Sequence, residues 1–208
     1  MKNLIMTRLL VEKRKFVVAE ELKDLSNELD KDYMSTINYL IKKRYLIRIF
    51  KGVFYVRSLE EIKFDTLHIG HLDLVANGLK LKGITNWYFG LYTALTLNNL
   101  THEYFAIDTV ISDTLFRSKE VEIAGHKFKF IKIKTPLIFG TKTENNLVFS
   151  NIEKTILDFI YIKKYRSLPE NKIILDVSEF MEEANRDKLL SYVEKYPKSV
   201  RKIVEKLT

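Results

Sequence analysis

Apolar residues in the first quarter of the chain recur at helical spacing and then in runs that suit strands. Ile5, Met6, Leu9 and Leu10 share one face of a helix expected from about Leu4 to Lys13. "KFVV" follows and places Phe16 and Val17 in a short strand. In "AEELKDLSNEL", Ala19, Leu22 and Leu25 form a second helical face. Glu20 and Glu21 suit its N-terminus, where the backbone dipole favours negative charge. Ser26 and Asn27 read as a turn and Asp30 as the N-cap of a third helix. That helix is expected from about Lys31 to Arg44, burying Tyr33, Ile37, Leu40 and Ile41. Ile47–Phe50 and Val53–Val56 are β-branched and aromatic; Lys51 and Gly52 between them suit a hairpin turn that needs positive φ.

Downstream, "SLEEIKFDTLHIGHLDLVANGLK" spaces Ile62, Ile69, Leu72, Val75, Ala76 and Leu79 as a helical connector. "NWYFGLYTALTLNNLT" predicts one compact helix, capped by Thr85 or Asn86 and ended near Asn98 and Asn99. The pattern then turns to strands, in "YFAIDTVIS" and in "EVEIAGHKFKFIKIK" with its turn at Gly125. "NLVFSNIEKTILDFIYIKKY" returns to helix, with Ser150 as cap and Ile152, Ile156, Leu157 and Ile160 as core stripe. Helices broken at Pro169 and Pro197 finish the chain, the last amphipathic and basic. The expected fold class is α+β. A winged helix-turn-helix over residues 1–57 precedes a mixed α+β C-terminal domain over 58–208, of which 58–84 form the connector.

Composition narrows the function. The 208 residues include no cysteine, which removes disulfides, thiolate metal sites and thiol nucleophiles together. Arg8 interrupts the only apolar run near the start, so no signal peptide is expected, and nothing downstream has the length of a membrane span. A cytoplasmic protein without cofactors is the expectation. The formal charge is +8, and residues 1–57 carry +6 of it, with 13 Lys and Arg against 7 Asp and Glu. That asymmetry suggests a basic module joined to a nearly neutral body.

The third helix and the hairpin give the basic module its candidate chemistry. Opposite the buried stripe lie Lys31, Ser35, Asn38, Tyr39 and Lys42, none of them acidic. Such side chains can hydrogen-bond to base edges or phosphates. Lys43 and Arg44 extend the positive strip at the helix end, and Arg48 and Lys51 stand on the hairpin, facing phosphates. In a winged helix-turn-helix the third helix enters the major groove of double-stranded DNA and the hairpin flanks the backbone.

The chain resembles the AbiEi-type antitoxin family, described as predicted transcriptional regulators of viral defence systems, over nearly its whole length. The hairpin "YLIRIFKGVFYV", the segment "WYFGLYTALTLNNL" and the set "VFSNIEKTILDF" carry the resemblance, in that order. In the last, Glu153-Lys154 and Leu157-Asp158 match a recurring pattern. Where relatives end the central helix in Gly-Leu, this chain has Asn99-Leu100. The resemblance implies a repressor that binds inverted repeats in its own promoter. It also implies an antitoxin to a genetically linked nucleotidyltransferase-like toxin, acting through the C-terminal domain without a tight complex. The protein would be a monomer or a homodimer.

Other chemistries have candidate residues. Asp65, His68 and His71 at i, i+3 and i+6 could line one helix edge as metal ligands, but only His102 and His126 remain, in different surroundings. A closed zinc site wants four ligands, so a polar connector edge is the better reading. Glu120 and Glu122 with Asp113 superficially suit a metal-dependent nuclease; alternation with Val121 and Ile123 makes them a strand's solvent face. Glu153 and Asp158, five residues apart, point in different directions around a helix. No phosphate loop or nucleophile elbow is present, and catalysis is not expected. The remaining rivals are a winged-helix protein-interaction module and an orphan regulator without a toxin.

Overall fold

In the computed structural model, which describes residues 4–207, the N-terminal pattern forms six elements. They are α1 (Leu4–Val11), β1 (Phe16–Val18), α2 (Ala19–Glu28), α3 (Tyr33–Lys42), β2 (Leu46–Phe50) and β3 (Val53–Val56). Ile5, Met6 and Leu9 of α1 close a core with Leu22, Ile37, Leu40, Leu46 and Phe54. The strands form an antiparallel sheet in the order β1-β3-β2, with Phe16 and Ile47 flanking Tyr55. Register shifts between Arg48 and Phe50, so Ile49 is the extra residue of a bulge, and its side chain is buried.

Two local expectations shift. α2 runs through Ser26 and Asn27, because the buried Ser26 hydroxyl donates back to the Leu22 carbonyl at 2.7 Å and needs no turn to satisfy it. The turn comes later, with Asp30 at φ 49°, and α3 is capped by Asp32, which accepts from the Ser35 amide at 2.7 Å. Asp30 is therefore the left-handed turn residue, a conformation that Asp tolerates, and not the cap.

The connector is two helices, α4 (Leu59–Phe64) and α5 (His71–Leu81), parted where Asp65 takes φ 51°. Asp65, His68 and His71 thus do not share one helix edge. Ser58 and Glu61 form a capping box at the start of α4. The buried Glu61 carboxylate also accepts from the Tyr55 hydroxyl at 2.8 Å and the His68 amide at 2.7 Å. Gly78 of α5 lies so close to β2 that a Cβ there would sit 2.7 Å from Ile49 Cγ2 and 2.9 Å from Phe50 Cε2. Contacts accordingly group the chain as far as Thr85, with Glu122–His126, into one unit; Asn86–Val121 and Lys127 onward form the other. The expected division after residue 57 instead runs through the hydrogen bonds that join β3 to α4.

The second unit begins with β4 (Trp87–Phe89), not with a helix. Trp87, Tyr88 and Phe89 are all buried, a run that suits a central strand, and Gly90 then opens α6 (Leu91–Leu97). Asn99 takes φ 58°, the left-handed position that a glycine would fill. β5 (Ile107–Ser112), β6 (Val121–Ile123) and β7 (His126–Lys132) fall as expected, with Ala124 and Gly125 at positive φ between the last two. β8 (Thr141–Glu144) and β9 (Leu147–Ser150) make a hairpin that polar β8 conceals in the sequence. Within the second unit the sheet runs β7-β5-β4-β9-β8, parallel at β7/β5 and β4/β9 and antiparallel at β5/β4 and β9/β8.

Four helices complete the chain: α7 (Ile152–Tyr165), α8 (Glu170–Ser178), α9 (Arg186–Val193) and α10 (Lys198–Leu207). The whole is a mixed α+β fold. Asn151 caps α7 by accepting from the Lys154 amide at 3.0 Å, while Ser150, expected as the cap, is buried in β9. α7 packs against α6, α8, α9 and α10, so it is buried nearly all round despite its charges. Glu153 reaches the backbone amide of Asn185, the N-cap of α9, at 3.1 Å.

Lys154 and Asp158, one turn apart on α7, are both 0 % exposed and paired to each other. The Tyr88 hydroxyl donates to Asp158 Oδ2 at 2.7 Å and the Tyr196 hydroxyl to Oδ1 at 2.8 Å. Lys154 Nζ donates to the Tyr196 oxygen at 2.6 Å and lies 5.1 to 5.3 Å from the ring centroids of Tyr88, Phe139 and Tyr196. Burial pulls the Lys154 ammonium below its ordinary range, and the Asp158 charge offsets part of that. Burial, followed by the Asp158 charge, pushes Tyr88 and Tyr196 well above theirs.

Removing one partner of a buried pair strands the other charge, at a cost of about 3–5 kcal/mol. Lys154→Met should fall in that range in urea unfolding. Asp158→Ala should cost about 1 kcal/mol more, because it also strands two phenol donors. Equal losses below about 1 kcal/mol would show that the cluster does not hold the fold.

A tyrosine raised in the folded state contributes stability that is complete below its unfolded value near 10 and is lost as pH rises past it. Lys154 acts oppositely, but only up to its unfolded value of 10.5. Above that, stability should fall steadily. Phenolate absorbance should show Tyr88 and Tyr196 ionising together with loss of the helical circular dichroism signal. Ionisation of every tyrosine before unfolding would contradict their burial.

Candidate nucleic-acid interface

On α3 the buried residues Ile37 and Leu40 face the core and leave the opposite side to solvent. Ser35, Asn38 and Lys42, spaced i, i+3 and i+7, are exposed along one edge of that side. The helix itself contains no acidic residue. Met34 is 58 % exposed beside them. Sequence reading passed it over because an apolar residue is normally assigned inward; its position four residues before Asn38 places it on the exposed face. An exposed apolar side chain here can meet a thymine methyl group.

Two residues of the expected face stand apart from it. Lys31 precedes the helix, half-buried in the turn, where its amide donates to the Ser26 carbonyl at 2.9 Å. Tyr39 is half-buried against the core, edge-to-face with Tyr45 at a centroid separation of 6.5 Å. A helical position 100° from Asn38 turns it toward the sheet side, and the aromatic ring gains more from packing than from water.

At the C-terminal end, Lys43 is exposed in the cap position and Arg44 follows at φ 57°. Arg44 is exposed but engaged: its Nη1 donates to Asp65 Oδ2 at 2.6 Å, and Asp65 Oδ1 accepts from Arg57 at 3.1 Å. These guanidinium groups hold the Asp65 carboxyl below its ordinary range, Arg44 contributing most. Arg57 itself is buried and also donates to the Thr66 carbonyl at 3.0 Å, so it belongs to the scaffold.

The hairpin is short and anchored. Gly52 at φ 79° closes the turn, and its carbonyl accepts from the Ala19 amide at 2.9 Å, tying the tip to the start of α2. Lys51 at the tip is exposed. Arg48 is exposed on β2, its guanidinium 5.6 Å from the Phe54 ring centroid. Burial pushes the Tyr33 phenol upward, and the Arg48 charge works against that. α3 and the hairpin both belong to the first unit.

The metal alternative finds no support in a ligand cluster. His71 and His126 do come together, stacked at 4.0 Å between centroids with an 8° interplanar angle, although they were expected in different surroundings. Among the described residues no group of three or more His, Asp or Glu could hold a metal ion. Among them, too, no helix is long and apolar enough to cross a membrane.

Comparison with known proteins adds the fold. No family model matches the chain, and no curated protein matches it. The crystal structure of the RV2827C protein from Mycobacterium tuberculosis is similar, with a TM-score of 0.62. The match covers 98% of this chain and 74% of that one at 12% identity. The likeness is one of fold.

Proposed function

We propose that the first unit contains a winged helix-turn-helix that binds double-stranded DNA, and that the protein is a transcriptional repressor of its own operon. One observation carries this reading. An exposed helix face without acids bears Ser35, Asn38 and Lys42, and the segment that follows it in the chain, through the hairpin, exposes Lys43, Arg48 and Lys51. α2 and α3 serve as the helix-turn-helix and β2–β3 as the wing. Asn38 is the base reader, since an amide can bond two edges of adenine at once. Lys42, Lys43, Arg48 and Lys51 hold phosphates; Arg44 contributes less because Asp65 neutralises it.

The antitoxin role rests on the family resemblance. In this reading the second unit counters a genetically linked nucleotidyltransferase-like toxin. Co-expression tests it: the chain should restore growth to cells making that toxin, and variants that no longer bind DNA should still do so.

For DNA, fluorescence anisotropy on a duplex from the gene's own upstream region, against a scrambled duplex, separates specific from nonspecific binding. The native duplex should be preferred by about a thousandfold at physiological salt. Asn38→Ala should cost about 1–3 kcal/mol on the native duplex and little on the scrambled one. Lys51→Ala should weaken both equally and reduce the slope of log K against log salt by about 0.9. Equal losses from both substitutions on every duplex would remove the base-reading role. Equal, weak binding of both duplexes by the unaltered chain would leave only a nonspecific tether.

A further inference from the structure

The second unit has a groove of about 890 Å³ where β5 and β7 end and α7 runs past them. The two strands are parallel neighbours, and Asp113 follows β5 while Lys132 and Lys134 mark the end of β7. Carboxyl ends of parallel strands are where open α/β sheets receive ligands. The volume lies in the range of small-molecule sites.

The lining combines three chemistries. Lys129, Lys132, Lys134 and Arg166 supply four cations against the single carboxylate of Asp113. Lys129 donates to the Ser118 carbonyl at 2.8 Å. Lys132, Lys134 and Arg166 are left without an ion pair or side-chain hydrogen bond among the described residues, and all three are exposed. The carboxyl end of α7 brings some negative partial charge, but one helix terminus carries only about half a charge. The groove therefore remains a place for an anion.

Aromatic rings stand beside these cations. Phe116 is 56 % exposed and Tyr165 84 % exposed, far more than packing alone leaves to such side chains, and Tyr161 is half-buried between them and the core. Flat heterocycles stack on such rings, whatever the base. Asp113 adds a polar handle. Its Oδ2 accepts from Asn86 Nδ2 at 2.9 Å, while its Oδ1 is buried with no hydrogen-bond partner. A buried acceptor left unpaired is costly, and a ligand hydroxyl or amino group would satisfy it.

We propose that this groove binds a nucleoside di- or triphosphate, its base on Phe116 and Tyr165 and its phosphates on Lys132, Lys134 and Arg166. Asp113 Oδ1 accepts from a ribose hydroxyl or a base amino group. An inorganic anion would leave the rings and the carboxylate unused. An extended strand of nucleic acid would need a cationic track longer than this groove offers. The site is separate from the helix face described above, and it stands whether or not that face reads DNA.

Calorimetric titration of the full chain with unlabelled ATP, GTP, CTP and UTP tests the proposal. At least one should bind with a dissociation constant of about 1–100 µM, and inorganic tripolyphosphate should bind about tenfold or more weakly than that nucleotide. Replacing Lys132 and Arg166 together by Ala should weaken the nucleotide about tenfold or more, and so should Phe116→Ala with Tyr165→Ala. Lys202→Ala, an exposed cation on α10, should change nothing. All these positions are exposed, and unchanged melting will show that the variants fold. No binding of any nucleotide at millimolar concentration overturns the proposal. Tripolyphosphate equal to the nucleotides overturns it in favour of a simple anion site. A short single-stranded oligonucleotide more than about tenfold tighter than every nucleotide overturns it in favour of a strand-binding groove.

Discussion

The second unit is organised around one buried ion pair. Lys154 and Asp158 sit on the helix that every other helix of the unit packs against, and both are sealed from water. An isolated charge in that position would cost several kcal/mol. Each neighbour that relieves the cost comes from a different part of the chain. Tyr88 reaches in from the central strand β4, Tyr196 from the link between α9 and α10, and Phe139 from the loop before β8. Gly140 lets that loop approach, since a Cβ there would stand 3.0 Å from Lys154 Cβ and 2.8 Å from Tyr192. Hydrophobic packing would accept many arrangements of these elements. Four polar side chains whose ends must meet at hydrogen-bonding distance accept far fewer.

The first unit uses the same device more gently. Glu61 is buried, yet amides from Ser58 and His68 and the Tyr55 hydroxyl all donate to it. Burial works against the charge, but those donors hold its carboxyl below the ordinary range. Arg57, also buried, gathers the Thr66 carbonyl and Asp65 beside it. β3 therefore cannot part from α4 without exposing unpaired donors. The hairpin is held at its base by this junction and at its tip by Ala19. A hairpin so fixed presents Arg48 and Lys51 at a defined place, which a freely moving loop would not.

Much of this was legible in the sequence, and the failures share a cause. The N-terminal elements could be read because each is amphipathic, with one face for the core and one for water. Strand β4 is buried throughout, so periodicity says little about it, and "WYFGLYTALTL" read as one helix instead of strand, glycine and helix. Charge misled in the opposite direction. Lys154 and Asp158 look like solvent residues, and only their i, i+4 spacing hints at a pair. On the candidate interface, Ser35, Asn38 and Lys42 were legible from the helical wheel. Tyr39 was not, because a tyrosine's polar tip fits water and its ring fits the core equally well. The engagement of Arg44 depends on Asp65, twenty-one residues later, and no local pattern carries that.

The cations of the first unit consequently fall into two kinds, and counting charge conflates them. Arg57 is committed to the fold, and Arg44 shares a carboxylate with it. Lys42, Lys43, Arg48 and Lys51 are exposed and, among the described residues, paired with no acid, although Arg48 rests over Phe54. Only the second kind can exchange a cloud of counterions for phosphates without breaking a bond already made. The excess charge of +6 in residues 1–57 is thus a poor guide to how many cations are free to meet an anionic partner. They stand at one helix end and along one hairpin. Under the proposed DNA-binding reading, an anionic backbone drawn in by these cations would meet no acid on α3.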